Sequence, residues 1–180
     1  MNRKKNAHFQ NTHASIQQAL LTLLEANDLP HVTVRKICEQ ANINRSTFYT
    51  HYSSIEDLLN EVDSLLRIEH LNLFSQAGIR GFEFLHRKGL SIVISYVRSH
   101  RHFYRVYIRK MQEIDYLTDY FEDIWEAQIR EPFWDTSYSY QEMFYKMLFF
   151  MSGSLKIIEY WLHRDCEEPD EEIIDLITEL

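Results

Sequence analysis

Glycine and proline are scarce in this 180-residue chain, at four and three. Those two residues punctuate turns, bulges and hairpins, so their scarcity argues against a many-stranded fold and for long uninterrupted helices. Cysteine is nearly absent. Cys38 and Cys166 lie far apart, and Cys38 falls on an apolar helical face, as a small core residue does. No run of about 18 apolar residues occurs, so no membrane-spanning helix is expected. The opening Met1-Asn2-Arg3-Lys4-Lys5 leads into polar sequence, unlike the apolar core of a secretory signal. A cytoplasmic protein is the simplest expectation. Gly-x-Ser-x-Gly, Gly-x-Gly-x-x-Gly and Walker loops are also missing, so an enzyme is not expected. Nine histidines are present, yet His100 and His102 are two apart and do not share a helical face. His163 and Cys166 would give two ligands where structural zinc wants four, so neither metal nor cofactor is expected.

Positive charge is in short supply as well: the net charge is -8. Its distribution is uneven. Residues 1 to 55 hold six lysines and arginines against three acids, whereas the remainder holds thirteen against twenty-four. A phosphate-binding surface needs only local positive potential, because screening limits the reach of distant acids to roughly 8 Å at physiological salt.

What is abundant is apolar spacing of helical period. Ile16, Ala19, Leu20, Leu23 and Leu24 share one face of a helix expected over 12–26. Asn27-Asp28-Leu29-Pro30 breaks it. Thr33 is then an N-cap for a short helix carrying Val34, Ile37, Cys38 and Ala41. Asn42 stops that helix, since asparagine tolerates the left-handed conformation of a sharp turn. A third short helix runs from Asn44 or Arg45 to Thr50. Ser54 caps a fourth, with Asp57 as a short-armed capping-box partner and an apolar stripe from Ile55 to Leu66. Gly78 and Gly81 mark a break, and Phe82-Glu83-Phe84-Leu85 alternates briefly without a partner strand. Further helices are expected at about 88–99, 101–111, 114–131, 138–164 and 170–180.

Short helices separated by a tight turn, with a basic, hydroxyl-rich last member, make a helix-turn-helix. Phe48 should point into its core. Asn44, Arg45, Ser46, Thr47 and Tyr49 then remain for the major groove, where arginine reads guanine and threonine meets a thymine methyl. Thr33, Arg35 and Lys36 open the second helix. Cations there oppose the helix dipole by a few tenths of a kcal/mol each, a balance that a docked phosphate reverses. His51, Tyr52, Ser53 and Ser54 offer donors to phosphate. Arg3, Lys4 and Lys5 form a basic arm that could follow a neighbouring groove.

The segment from Val32 to Tyr52, Val-Thr-Val-Arg-Lys-Ile-Cys-Glu-Gln-Ala-Asn-Ile-Asn-Arg-Ser-Thr-Phe-Tyr-Thr-His-Tyr, resembles without a gap the DNA-binding signature of the TetR family of bacterial regulators. The likeness is strong over residues 12 to about 66 and general beyond. It implies an all-α fold of about nine helices. A helix-turn-helix domain at 1–53, with its basic arm at 1–11, precedes a helical regulatory and dimerisation domain at 54–180. It further implies a homodimer that binds double-stranded operator DNA, a repressor whose affinity is set by a small-molecule effector acting through the fourth helix. The alternative it leaves open is a regulator or coactivator controlled by a protein partner. Two positions depart from the family pattern: Asn42 stands where glycine is usual, and Ile55 replaces a lysine that often opens the fourth helix.

The second half is rich in aromatics at helical spacing, which form either core or the wall of an effector pocket. Tyr96, Tyr107, Trp125 and Tyr145 are the pocket candidates. Gly153 permits close helix approach and, with Ile157, Trp161, Ile173 and Ile177, makes a candidate two-fold interface.

Overall fold

The computed structural model describes residues 3–27, 29–79, 83, 85–129 and 139–179, the side chains of 3–6 and 124–129 excepted. Among the described residues every regular element is helical. They are α1 (Arg3–Ala26), α2 (Val34–Gln40), α3 (Arg45–His51), α4 (Ile55–Gln76), α5 (Arg87–Ser99), α6 (Arg101–Tyr107), α7 (Ile114–Ile129), α8 (Tyr140–His163) and α9 (Asp170–Thr178). Single 3-10 turns occur at Leu29–His31 and Lys110–Gln112. None of the described helices is long and apolar enough to cross a membrane. The chain divides into two compact units, Met1–Ile68 and Glu69–Leu180.

In the first unit the apolar face of α1 is buried through Ile16, Ala19, Leu20 and Leu24, with Ile37, Cys38, Phe48, Leu58, Leu59 and Val62 from the next three helices. α1 packs on α2, and α2 on α3. The helix begins at Arg3, not at Thr12. Thr12 does not cap; its hydroxyl donates to the His8 carbonyl (3.0 Å) one turn back. No glycine or proline lies between residues 3 and 12 to stop the helix. The boundary between units falls inside α4 because Leu58, Leu59 and Val62 at its start are buried within the first.

α4 runs on past the apolar stripe to Gln76, with buried positions continuing to Phe74. It ends where Gly78 adopts φ 68°. The Ile79 N–H donates to the Phe74 carbonyl (2.9 Å) and the Gly78 N–H to that of Ser75 (3.1 Å). This double closure satisfies carbonyls that a helix end would leave bare. Gly81, Phe82 and Phe84 lie outside the described residues.

In the second unit α5 packs on α9 and α6, and α8 packs on α6, α7 and α9. Phe103, Phe121, Met147, Trp161 and Leu162 are wholly or almost wholly buried. The turn after α8 holds Asp165 and Cys166 at φ 56° and 57°. Arg98 of α5 anchors it. Its guanidinium donates to the carbonyls of Cys166 (3.0 Å) and Glu168 (2.7 Å), pairs with Asp170, and lies 4.7 Å over the Trp161 ring. The Trp161 indole N–H reaches the same Glu168 carbonyl at 3.0 Å.

Candidate nucleic-acid interface

The two short helices of the head are fixed at both ends. Thr33 accepts the Lys36 N–H at 3.2 Å and starts α2. Asn42 stops it at φ 53°, as its side chain predicts. The Ile43 N–H donates to the Cys38 carbonyl (2.9 Å) and the Asn42 N–H to that of Glu39 (3.3 Å). That pairing reverses the chain within two residues and sets the angle between α2 and α3. Asn44 then caps α3, its Oδ1 accepting from the Thr47 N–H at 2.8 Å.

Phe48 is fully buried under α3, as its spacing requires, while Tyr49 beside it is 56 % exposed and meets its ring edge-on at 5.4 Å. Arg45, Ser46 and Thr50 are exposed too, and Thr47 is half-buried. The hydroxyls of Ser46 and Thr47 both donate to Asn44 Oδ1, at 2.6 and 2.9 Å. The cations of α2 have local partners: Arg35 pairs with Glu39 (2.8 Å), and Lys36 Nζ donates to the His31 carbonyl (2.9 Å). Both side chains are exposed, so such contacts are worth well under about 1 kcal/mol and yield readily to a phosphate.

The clamp expected after α3 needs correction at Tyr52. It is 2 % exposed, its ring stacks on His13 (5.0 Å), and its hydroxyl lies 3.1 Å from His13 Nε2. It is a core residue and is turned away from any phosphate. Burial and the neighbouring Glu61 push its hydroxyl pKa up. Ser54 Oγ accepts the Asp57 N–H (3.0 Å), while Asp57 reaches back to the N–H (2.8 Å) and hydroxyl (3.0 Å) of Ser53. Ser54 therefore caps α4 as expected, and only the return arm from Asp57 closes one residue earlier, on Ser53.

Sequence reasoning missed the polar seam beneath α3. His13 of α1 bonds Glu61 of α4 at 2.8 Å and His51 of α3 at 3.3 Å, while Phe9 stacks on His51 at 4.1 Å. Burial and the adjoining His13 lower the His51 pKa. The one available signal was His13 lying three residues before Ile16, on the buried side of α1.

In the second unit the pocket candidates separate. Tyr96 is buried, stacked on His70 at 5.1 Å, with its hydroxyl donating to Glu69 (2.9 Å). Tyr107 is buried against Phe103 at 5.2 Å. Tyr145 is 66 % exposed, and the Trp125 side chain lies outside the described residues. Since i, i+4 spacing serves core and pocket equally, Tyr96 and Tyr107 serve the core here while Tyr145 faces outward. An open groove of about 530 Å³ lies instead between α4 and α5, lined by Leu73, Gln76, Ala77, Ser91, Ile92 and Ser95.

The interface candidates need a similar correction. Trp161, Ile173 and Ile177 are buried inside the chain, filling the packing of α8 and α9 on α5. Gly153 is exposed, and a Cβ built there would meet nothing within 4 Å. Ile157 is half-buried. The outward face of α8 carries Tyr145, Phe149 (82 % exposed) and Tyr160, and α9 adds Leu176.

A capped three-helix head with an exposed third helix, followed by an all-helical unit, defines a class: the helix-turn-helix transcriptional regulators. Residues 16–62 match the family profile described as "Bacterial regulatory proteins, tetR family", and residues 87–180 match "Transcriptional regulator C-terminal region". The chain belongs to the TetR family. It is 27 % identical over 183 aligned positions to the uncharacterized HTH-type transcriptional regulator YxbF of Bacillus subtilis (strain 168). That match takes in 95 % of this chain and 45 % of YxbF, so the chain spans about half the length of this relative. Two solved structures share the fold. The dihydroxyacetone kinase operon activator DhaS has a TM-score of 0.58 at 18 % identity, covering 93 % of this chain and 94 % of that one. A TetR transcriptional regulator from Streptococcus agalactiae 2603V has a TM-score of 0.55 at 23 % identity, covering 97 % and 96 %.

Proposed function

We propose that the chain is an operator-binding repressor that works as a homodimer in the cytoplasm, with α3 in the major groove. The observation that carries this reading is the surface of α3: Arg45, Ser46 and Tyr49 are exposed and Thr47 half-buried around a buried Phe48. A helix held by caps at both ends presents those side chains from a backbone that has little entropy left to lose on binding. Arg45 supplies the bidentate donor suited to guanine, and Tyr49 the extended apolar contact. Thr33, Arg35, Lys36, His51 and Ser54 flank them toward the phosphates.

The outward face of α8 and α9 supports dimer formation. Three exposed aromatic rings, Leu176 and the open surface at Gly153 form an apolar strip such as a second copy would cover. Two heads then meet successive major grooves about 34–36 Å apart. The groove at Leu73 and Ile92 is the favoured place for a small apolar effector. A ligand that binds better to one position of α4 would shift the population able to span both half-sites.

Selection of genomic fragments by the full chain, followed by gel-shift titration at several salt concentrations, tests the reading. A two-fold symmetric site with half-sites about one helical turn apart is expected. Failure to retain any fragment above background at moderate salt would overturn it.

A further inference from the structure

We infer that Asn44 sets the hydrogen-bonding polarity of the recognition surface, so that Ser46 and Thr47 read bases as acceptors, taking hydrogen bonds from the exocyclic amino groups of adenine or cytosine. This inference rests on the proposal that α3 lies in the major groove.

Asn44 Oδ1 receives three hydrogen bonds, from the Thr47 N–H (2.8 Å), the Thr47 hydroxyl (2.9 Å) and the Ser46 hydroxyl (2.6 Å). The first fixes the amide orientation, because a backbone N–H requires an acceptor and the side-chain nitrogen of asparagine is a donor only. With the oxygen so placed, both hydroxyls meet an acceptor and spend their protons on it. A hydroxyl owns one proton and two lone pairs. Once the proton points at Asn44, only lone pairs face outward; Ser46 is exposed and Thr47 half-buried.

In the major groove the donors are adenine N6 and cytosine N4, while purine N7, guanine O6 and thymine O4 are acceptors. Ser46 and Thr47 therefore match the amino groups. Donating to an acceptor instead would first break a bond to Asn44. The penalty is about one hydrogen bond, roughly a two- to tenfold discrimination per position. Asn44 thus acts as a positioning residue, and the donor role in the groove is left to Arg45.

The test is a set of cycles between protein variants and base analogues on the selected operator, using the full chain. Ser46→Ala and Thr47→Val are titrated on the native site. They are also titrated on sites where a contacted adenine becomes purine, which lacks the N6 amino group, or 7-deazaadenine, which lacks the N7 acceptor. Contacted cytosines are treated likewise with an analogue lacking N4. Each variant is expected to lose roughly two- to tenfold on native DNA, to lose nothing further where the amino group is gone, and to keep its loss on the deaza site. Asn44→Gly, which glycine's tolerance as an N-cap leaves folded, should free both protons and transfer the coupling to N7, guanine O6 or thymine O4.

Coupling of the unmodified Ser46 or Thr47 to those acceptors would overturn the inference. So would an absence of coupling to either class, given specific binding. If the wild-type chain binds no site specifically, the placement of α3 in the groove fails as well, and the two failures are told apart.

Discussion

Arg98→Ala should be among the most damaging single substitutions outside the apolar core. The guanidinium donates to two carbonyls of the turn after α8 and pairs with Asp170 at the start of α9. That turn holds two consecutive non-glycine residues at positive φ, a conformation costing roughly 1–2 kcal/mol per residue that its surroundings must hold in place. A hydrogen bond to a charged donor contributes about 1.5–3 kcal/mol when well buried. Arg98 is about one-third exposed, so the lower end of that range applies, and the ion pair with Asp170 adds little of its own. Two carbonyl bonds together with the stacking on Trp161 then give an expected loss of about 2–4 kcal/mol. Arg98→Lys should recover less than half of it, because an ammonium lacks the planar fork that serves both carbonyls. Urea unfolding followed by far-ultraviolet dichroism, with Asp170→Asn as the carboxylate control, measures each difference. A loss below about 0.5 kcal/mol for Arg98→Ala, within the range of ordinary surface changes, would refute the assignment of this arginine as the anchor of the α8–α9 turn.

Three further outcomes are expected. At the turn between α2 and α3, Asn42→Gly should be neutral or stabilising by up to about 1 kcal/mol, and Asn42→Val destabilising by roughly 1–2 kcal/mol, because φ 53° suits only the former; thermal melts of both variants decide this. His70 is pushed down to about 4 by burial, with no hydrogen-bond partner for its Nε2 among the described residues. Its folded pKa lies below the unfolded value, so the unfolded chain takes up the proton first. Stability should fall by roughly 2–4 kcal/mol as pH drops from about 6.5 towards 4, and His70→Phe should flatten that fall; a pH series of urea melts with an unchanged slope would count against it. Phe149→Glu should yield monomers by light scattering and weaken operator binding, leaving the melting temperature of the isolated protomer nearly unchanged; a dimer that persists would remove α8 as the interface.

Helix positions were legible because the apolar period is unbroken and the caps are local. Thr33, Asn42, Asn44 and Ser54 each act within four residues of sequence, so their side chains announce the turns they make. The start of α1 was less legible, since it extends through sequence that neither promotes nor forbids a helix, whereas Gly78 marked the end of α4. The outward residues of α3 followed from Phe48 being the inward one. Tyr52 was misplaced because its partner, His13, lies on another helix, and no pattern within the signature shows that contact. For the same reason Trp161, Ile173 and Ile177 looked free for an interface: apolar spacing marks a buried face without saying which chain buries it. Tyr96 and Tyr107 illustrate the matching ambiguity between core and pocket.

The most direct test of the account is photocrosslinking from α3. A benzoylphenylalanine placed at Tyr49, which is 56 % exposed and needs no repacking, is irradiated on the selected operator. The account requires a protein–DNA adduct that maps to a major-groove base within the half-site, and that unlabelled operator suppresses while random DNA does not. No adduct at that position, with the same probe at Phe149 or Tyr145 crosslinking DNA instead, would contradict it and move the nucleic-acid interface away from the helix-turn-helix.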